Sequence, residues 1–202
     1  MKVKFIGQSV KLYGSTKDPI EAISSAAMTS TQAPPKDKTG KRKLVKALVK
    51  KQHLSTLEFA DADFELEVDR AIQQELTRHR HFSFLVESTR WCDYRKKPLR
   101  FVTKPVDYQP EEAVKLLEDL CELSSEVYDA MIQLGATRDY ARKSLPLALA
   151  SKMRMKGSFR TWFEMLPKRL DPTAHAEVRY VAGKVLDVLK DKCGEVFGEE
   201  EL

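Results

Sequence analysis

The sequence is poor in cysteine and has no long apolar run. Its three cysteines, Cys92, Cys121 and Cys193, are odd in number and far apart, which excludes a disulfide framework and a closely spaced metal cluster. No apolar stretch approaches the roughly 20 residues of a membrane span, and the N-terminus lacks the apolar segment of a signal peptide. No Gly-x-Gly-x-x-Gly or P-loop pattern occurs, so a Rossmann dinucleotide site is not expected. We expect a reduced cytoplasmic protein with no membrane span and no metal site.

Length and composition predict one folded domain. The chain has 202 residues, of which 42% are apolar and 32% charged, enough to bury a core. Residues 63–69 alternate between apolar and acidic side chains, which predicts a half-buried strand. Further strands are predicted at 3–6 and, weakly, at 82–86. We predict a single domain over residues 1–202, with 31–43 as a mobile loop because Pro34, Pro35 and Gly40 lie among polar residues there.

Helices are predicted more often than strands, so the expected fold is α+β and rich in helix. Asp18 and Pro19 begin a helix over 18–28 in the arrangement of an N-cap followed by a first-turn proline. Ser158 is expected to cap another. The remaining predicted helices cover 70–77, 110–135, 137–145, about 158–166, and a last one starting at 171–172. For the helix over 110–135 we predict a core stripe of Val114, Leu117, Leu120, Val127, Met131 and Leu134.

Most of the positive charge lies in one segment. The whole chain carries +5, whereas residues 34–51 contain eight cations and one anion, which leaves the remainder negative. Such a segment invites nucleic-acid binding. However, Leu44, Val45, Leu48 and Val49 recur at helical spacing, and no aromatic side chains interleave with the lysines. A solvated helix face is therefore favoured, and nucleic acid is not expected as a partner.

A second group of cations is concentrated in thirteen positions. Arg78-His79-Arg80 is followed, after seven intervening residues, by Ser88 and then by Thr89-Arg90-Trp91. Guanidinium groups bind phosphate through two parallel hydrogen bonds, so this segment suits a nucleotide. A solvated basic turn is the alternative.

The pattern Arg-His-Arg, seven residues, Ser resembles the signature of the flavin-dependent thymidylate synthases, the ThyX family. Further matches extend over about residues 20 to 190. They are His53 with Glu58, Arg90-Trp91, Ala141-Arg142 with Leu145-Pro146, Arg160 after Gly157, Arg169, and Ala174 with Glu177. The resemblance implies a helix-rich domain around a small, mostly antiparallel sheet, and a homotetramer with its sites between subunits.

The resemblance also implies the chemistry. The family converts dUMP to dTMP, with methylenetetrahydrofolate as carbon donor and FAD, reduced by NADPH, as hydride carrier. By similarity, the FAD-contacting residues are Ser30, Ser55, Arg78, His79, Arg80, His81, Ser158, Arg160 and Glu164. An ion pair between Arg160 and Glu164 at i,i+4 is the plain alternative for those two residues.

The nucleotide residues implied by the resemblance are Glu75, Arg78, Glu87, Ser88, Thr89, Arg90, Arg142 and Arg169. Arg169 corresponds to the arginine that polarises the uracil ring, and it is the expected catalytic residue. Ser88 corresponds to a binding group. His53 and Trp91 are candidates for the folate or nicotinamide face, with a structural hydrogen bond as the equal alternative for His53.

Three positions depart from the family pattern. Glu75 stands where the family usually has Gln, Val86 where it has Glu or Gln, and His175 where it has Gln. An ionised Glu cannot donate a hydrogen bond, and Val86 makes no polar contact. Either Glu75 supplies the missing carboxylate from the adjacent helix, or the chain is a variant with an altered pyrimidine preference or one-carbon product, such as a hydroxymethylated nucleotide, which is the alternative within the family. The alternative from another class is a basic nucleic-acid-binding module.

Overall fold

The computed structural model describes residues 2–29 and 37–198. The strands are β1 (Val3–Ile6), β2 (Ser9–Ser15), β3 (Asp61–Asp69), β4 (Ser83–Val86), β5 (Leu99–Val102) and β6 (Ala150–Ser158). The helices are α1 (Pro19–Met28), α2 (Lys38–Lys50), α3 (Arg70–Leu76), α4 (Glu111–Gln133), α5 (Arg138–Ala141), α6 (Phe159–Leu170), α7 (Ala176–Lys192) and α8 (Gly194–Phe197). Short 3-10 helices cover Leu54–Phe59 and Arg142–Ser144. The predicted α+β class is confirmed.

The strands form a four-stranded sheet in the order β2-β3-β6-β4 and a parallel β1-β5 pair. The described residues divide into two compact units. The first comprises residues up to 9, 66–78 and 84–153, and the second comprises 10–65, 79–83 and those from 154 onward. That the chain is one domain stays a prediction. None of the helices in the described ranges has the length and apolar character needed to cross a membrane.

Several helix starts follow from local capping chemistry, as expected. The Asp18 carboxylate accepts the Glu21 amide of α1, with Pro19 at the first helical position. At α6, the Ser158 hydroxyl accepts the Thr161 amide. A side-chain acceptor at this position satisfies an amide that has no partner within the helix. These two predicted starts are confirmed.

Two predicted boundaries are wrong. Residues 38–43 form the first turns of α2, where the Asp37 carboxylate caps the Gly40 amide at 3.0 Å. Residues 31–36 of the predicted loop lie outside the described residues. The last long helix, α7, begins at Ala176 rather than at 171–172, because Asp171 bonds the Thr173 amide in a local turn instead of capping a helix.

The basic segment forms an amphipathic helix, as predicted. Val45 and Val49 are its buried residues. Its lysines lie mainly on the solvent side, although Lys41 pairs with Glu21 at 2.6 Å and Arg42 pairs with Glu195. The α2 cations are therefore partly used within the second unit.

The first unit packs its core against α4, on a face that overlaps the predicted stripe only in part, since Leu117 and Met131 pack against the core cluster. The buried residues of α4 are Cys121, Ser124, Ser125 and Tyr128. Of these, Cys121 and Tyr128 belong to a hydrophobic cluster with β5 residues Leu99 and Phe101. Val114, Leu117 and Met131 are half-buried. The predicted core residues Leu120, Val127 and Leu134 are exposed. The helix has two apolar faces, and periodicity alone could not show which one meets this chain's own core.

The second unit is centred on aromatic residues. Trp162 of α6 is fully buried and contacts Phe64 and Phe82 edge-to-face, with ring centroids 5.1 and 4.5 Å apart. Gly157 lies so close to the Phe82 ring that a Cβ on residue 157 would be 2.6 Å from two ring carbons. The glycine therefore makes room for the ring, which in turn fixes the segment that contains His79.

Replacing Gly157 with alanine is expected to lower the free energy of unfolding by about 1–3 kcal/mol, because the added methyl overpacks the Phe82 ring. Chemical denaturation would measure this change. The matched control is Gly183→Ala on α7, where an added Cβ meets nothing within 4 Å. That variant is expected to be about 0.8–1 kcal/mol more stable than wild type, because alanine favours the helix. Equal stability of Gly157→Ala and wild type would contradict the packing argument.

Candidate functional site

In the first unit, the segment after β4 makes a tight turn. The Ser88 carbonyl accepts the amides of Trp91 and Cys92 at 3.2 and 3.0 Å, and the Ser88 hydroxyl accepts the Arg90 amide at 3.3 Å. We call residues 88–91 the serine turn. Thr89 is buried, whereas Arg90 and Trp91 are exposed. The turn thus presents an arginine to solvent from a backbone that is held by its own hydrogen bonds.

Residues of α5 and the following 3-10 helix contact the serine turn. Arg142 donates to the Thr89 hydroxyl at 3.1 Å, and Arg90 donates to Asp139 at 2.8 Å. Arg138 donates to the Trp91 carbonyl at 3.1 Å. Arg90, Trp91, Arg138 and Asp139 line a shallow pocket together with Thr137.

This cluster has an excess of positive charge suited to a phosphate. Arg90 donates to the Asp139 carboxylate, Arg138 donates to a backbone carbonyl and also feels the charge of Asp93, and Arg142 donates to the Thr89 hydroxyl. Three guanidinium groups therefore lie beside two carboxylates, one of which, Asp93, is already paired with Arg95. A phosphate monoester carries a charge of about −1.5 to −2 at neutral pH. The sequence analysis missed Arg138 and Asp139. The spacing of Arg138 and Arg142 at i,i+4 was the available signal, because it places both on one helix face.

The other nucleotide candidates of the first unit have different surroundings. The Glu87 carboxylate contacts Arg100, the Lys152 amide and the Cys92 thiol. Glu75 is half-buried on α3, and its carbonyl accepts the amide of the exposed Arg78 at 3.3 Å. Glu87 is therefore engaged within the protein, and Arg78 projects from the end of α3.

In the second unit, His79 and Arg169 form a direct pair. Arg169 Nε donates to His79 Nε2 at 2.8 Å. An accepting Nε2 requires the neutral imidazole with its proton on Nδ1. Partial burial and the neighbouring charges of Arg169 and Lys168 lower the pKa of His79. The predicted catalytic residue and one predicted flavin residue are thus brought together, with the histidine uncharged.

A shallow pocket lies beside this pair. Its lining consists of His79, His81, Phe82, Thr161, Glu164, Met165 and Lys168. Phe82 and Met165 are buried apolar residues, whereas His81, Glu164 and Lys168 are exposed. Thr161, Met165 and Lys168 were missed by the sequence analysis, which offered no signal for them beyond their place on the helix that follows Ser158.

Arg160 of α6 is held between two carboxylates. It donates to Glu58 at 2.6 Å and to Glu164 at 2.8 Å. The alternative expected for Arg160 and Glu164, an i,i+4 ion pair, is therefore confirmed. Ser158 is used in capping α6 and also lies 3.0 Å from the Thr161 hydroxyl.

The remaining candidates lie near the surface. Ser55 is in the exposed first turn of the Leu54–Phe59 helix, directly after the exposed His53. The His53 carbonyl accepts the Thr56 hydroxyl at 3.2 Å. Arg80 is exposed. Ser30 lies outside the described residues.

The cysteines show no sign of an activated thiol. Cys121 and Cys193 are buried, and burial raises the pKa of their thiols to about 11 and about 12. Burial and the bond to Glu87 raise the pKa of the half-buried Cys92. A nucleophilic cysteine has a lowered pKa, so all three are structural.

The lowered pKa of His79 predicts a pH dependence of stability. Because the folded side chain resists protonation, the unfolded chain binds more protons below about pH 6.5. The free energy of unfolding therefore falls as the pH drops through that value. In His79→Gln, the decline between pH 7.5 and 5.5, measured by chemical denaturation, is expected to be shallower.

The control for this prediction is Gly183→Ala, a substitution in the same unit that changes no titratable group and should keep the wild-type slope. Identical slopes for His79→Gln and wild type would contradict the assignment.

Comparison with known proteins identifies the family. The model of the thymidylate synthase complementing proteins matches residues 11–194. A protein of Mycobacterium phage D29, named a probable flavin-dependent thymidylate synthase, is 30% identical over 150 residues, which are 69% of this chain and 64% of the relative. The flavin-dependent thymidylate synthase of Mycobacteroides abscessus is 29% identical over 164 residues, 74% of this chain and 66% of the relative.

A third relative matches nearly end to end. The flavin-dependent thymidylate synthase of Synechocystis sp. is 26% identical over 197 residues, which cover 90% of this chain and 91% of the relative. The chain spans slightly less than two thirds of the length of the phage and Mycobacteroides relatives. Because the family model extends over most of its length, this chain belongs to the thymidylate synthase complementing protein family.

Proposed function

We propose that the protein is a flavin-dependent thymidylate synthase that converts dUMP to dTMP. The proposed cofactor is FAD, the reductant NADPH and the carbon donor methylenetetrahydrofolate, and the proposed location is the cytoplasm. The observation that carries the proposal is the serine turn with Arg142 beside it. It combines the family's Arg-His-Arg, seven residues, Ser pattern with a cluster of three arginines in the first unit.

The phosphate of dUMP is the proposed ligand of the serine turn. Arg90 and Arg142 supply positive charge, and the Ser88 and Thr89 hydroxyls supply short polar contacts. The Arg90–Asp139 pair is largely exposed, with side chains 59% and 50% accessible. An exposed ion pair contributes little stability, so Arg90 can exchange Asp139 for a phosphate at low cost.

The second unit has residues that fit a flavin. The pocket beside His79 offers apolar contacts from Phe82 and Met165 for a ring system, and polar contacts from Thr161 and His81. The exposed Arg80 offers charge for a diphosphate, and Arg78, Ser55, Ser158 and Arg160 are further candidates. When bound, the flavin supplies the transfer of a hydride, which protein side chains cannot perform.

Arg169 is the proposed catalytic residue. Its guanidinium is oriented by the hydrogen bond to His79, which accepts it without adding a second charge. A fixed cation beside a ring that develops negative charge stabilises the transition state more than the ground state. His53 and Trp91 are exposed candidates for stacking against folate or nicotinamide.

We further propose the homotetramer that the family implies. The exposed apolar side chains of α4 support an assembly, because Leu116, Leu120, Leu123 and Val127 recur with the alternating spacing of four and three residues that is typical of paired helices. A large apolar stripe of this kind is unusual on the surface of a monomer.

The direct test is incubation of the purified protein with dUMP, methylenetetrahydrofolate, NADPH and FAD, with the nucleotide product identified by mass. We expect dTMP, and no conversion when the reductant or the folate is omitted. The mass also distinguishes a hydroxymethylated product. A protein that binds flavin, shown by its visible absorption bands, but leaves dUMP unchanged would overturn the proposal.

Arg169→Ala is expected to lower kcat by about 10²–10³-fold, the usual effect of losing one group that stabilises a developing anion. Flavin binding, measured from the absorption bands, should be retained. Arg42→Ala, which removes a guanidinium paired with Glu195, serves as the control and should keep kcat near the wild-type value. If Arg169→Ala lost flavin as strongly as turnover, the assignment of Arg169 to the nucleotide would be wrong.

A further inference from the structure

Arg100 of β5 joins two carboxylates that come from different parts of the first unit. Its Nη1 lies 2.7 Å from Glu67 Oε1 on β3, and its Nη2 lies 3.3 Å from Glu87 Oε2. The arginine side chain is 26% exposed and both carboxylates are 20% exposed. A guanidinium keeps its charge at all physiological pH values, so Arg100 does not lose its attraction for the two carboxylates by deprotonation.

Through its own contacts, Glu87 connects Arg100 to both ends of the serine turn. Its backbone amide donates to the Lys152 carbonyl at 2.8 Å, and its Oε2 accepts the Lys152 amide at 3.3 Å. Its other oxygen, Oε1, accepts the Cys92 thiol at 3.3 Å. The carboxylate therefore spans the turn, from the residue before Ser88 to the residue after Trp91.

The position of Glu87 determines where the phosphate-binding groups lie. Ser88, Thr89 and Arg90 are enclosed between Glu87 and Cys92, so they move when either end moves. Both carboxylate oxygens of Glu87 are used in contacts within the protein, so Glu87 supports the turn rather than binding the ligand. We propose that Arg100 is a positioning residue which, through Glu87, holds the serine turn in the geometry that receives the nucleotide phosphate. This inference rests on the proposed function of that turn.

Removing Arg100 would have an electrostatic effect as well as a geometric one. Glu67 and Glu87 share one guanidinium, so its loss leaves two half-buried carboxylates without their common counter-charge. Repulsion and desolvation would drive Glu87 toward water. Its released charge would then lie next to the serine turn, where it disfavours an anion but has little effect on an uncharged ligand.

The test compares binding of dUMP with binding of deoxyuridine, which has the same base and sugar without the phosphate. For Arg100→Met we expect the Kd and KM of dUMP to rise by about tenfold or more, since small displacements of binding groups have effects of that order. The value of kcat should stay within about twofold of wild type, and the flavin absorption bands should be unchanged. Calorimetry should show equal deoxyuridine binding by variant and wild type.

The matched control is Arg154→Met. Arg154 also pairs with a carboxylate, that of Asp63. The Arg154 and Asp63 side chains are 28% and 20% exposed, nearly the same as Arg100 and its partners. It belongs to the second unit, so it tests what the loss of a half-buried arginine does by itself. We expect reduced thermal stability but unchanged dUMP affinity.

A second set of variants separates positioning from general destabilisation. Glu87→Gln in the Arg100→Met background removes the released charge, so the double variant should recover part of the dUMP affinity, which is a non-additive effect. Arg100→Lys should recover part of it too, because its ammonium can replace one of the two contacts.

Equal losses of dUMP and deoxyuridine affinity in Arg100→Met would overturn the inference, as would unchanged dUMP affinity in a variant of an active enzyme. A wild-type protein that neither binds nor converts dUMP would instead overturn the proposed function, and the inference with it.

Discussion

The permanent charge of the arginine side chain constrains much of this structure. A guanidinium cannot lose its proton in a protein, so a half-buried arginine needs an anion or several carbonyl groups beside it. Arg100 meets Glu67 and Glu87, and Arg154 meets Asp63. These pairs connect strands with their neighbours, and in the first unit Arg100 contacts Glu87, the residue directly before the serine turn.

The same constraint separates structural arginines from those proposed to bind the nucleotide. Arg90 pairs with Asp139 where both side chains are largely in water, and within the described residues Arg142 donates to neutral oxygens, the Thr89 hydroxyl and a backbone carbonyl. Solvent screens such contacts, so a doubly charged phosphate can replace them. Arg100 cannot make that exchange, because its carboxylates are mostly buried. The difference in burial, rather than residue type, distinguishes binding groups from those that support them.

In the second unit, aromatic packing supports the position of His79, as ion pairing is proposed to support the serine turn in the first unit. Phe82 is confined between the bare backbone of Gly157 and the ring of Trp162, and a turn bond joins its amide to the His79 carbonyl. The imidazole therefore stays partly buried beside Arg169 and remains neutral. A neutral acceptor orients the arginine without opposing its charge, which is the condition that the proposed role of Arg169 requires.

The sequence by itself determined the features that depend on neighbours along the chain. Asp18 and Ser158 predicted helix starts because capping uses an amide three residues away, and alternation predicted β3. The arginine and serine spacing was sufficient to indicate the family, which is confirmed, and the nucleotide and flavin followed only as what that resemblance implies. Tertiary structure alone decided which face of α4 is buried and that Glu87 contacts Arg100 and Lys152. The reason is physical: these contacts join residues 13 and 65 positions apart, and only the pairing of strands and the packing of helices bring such residues together.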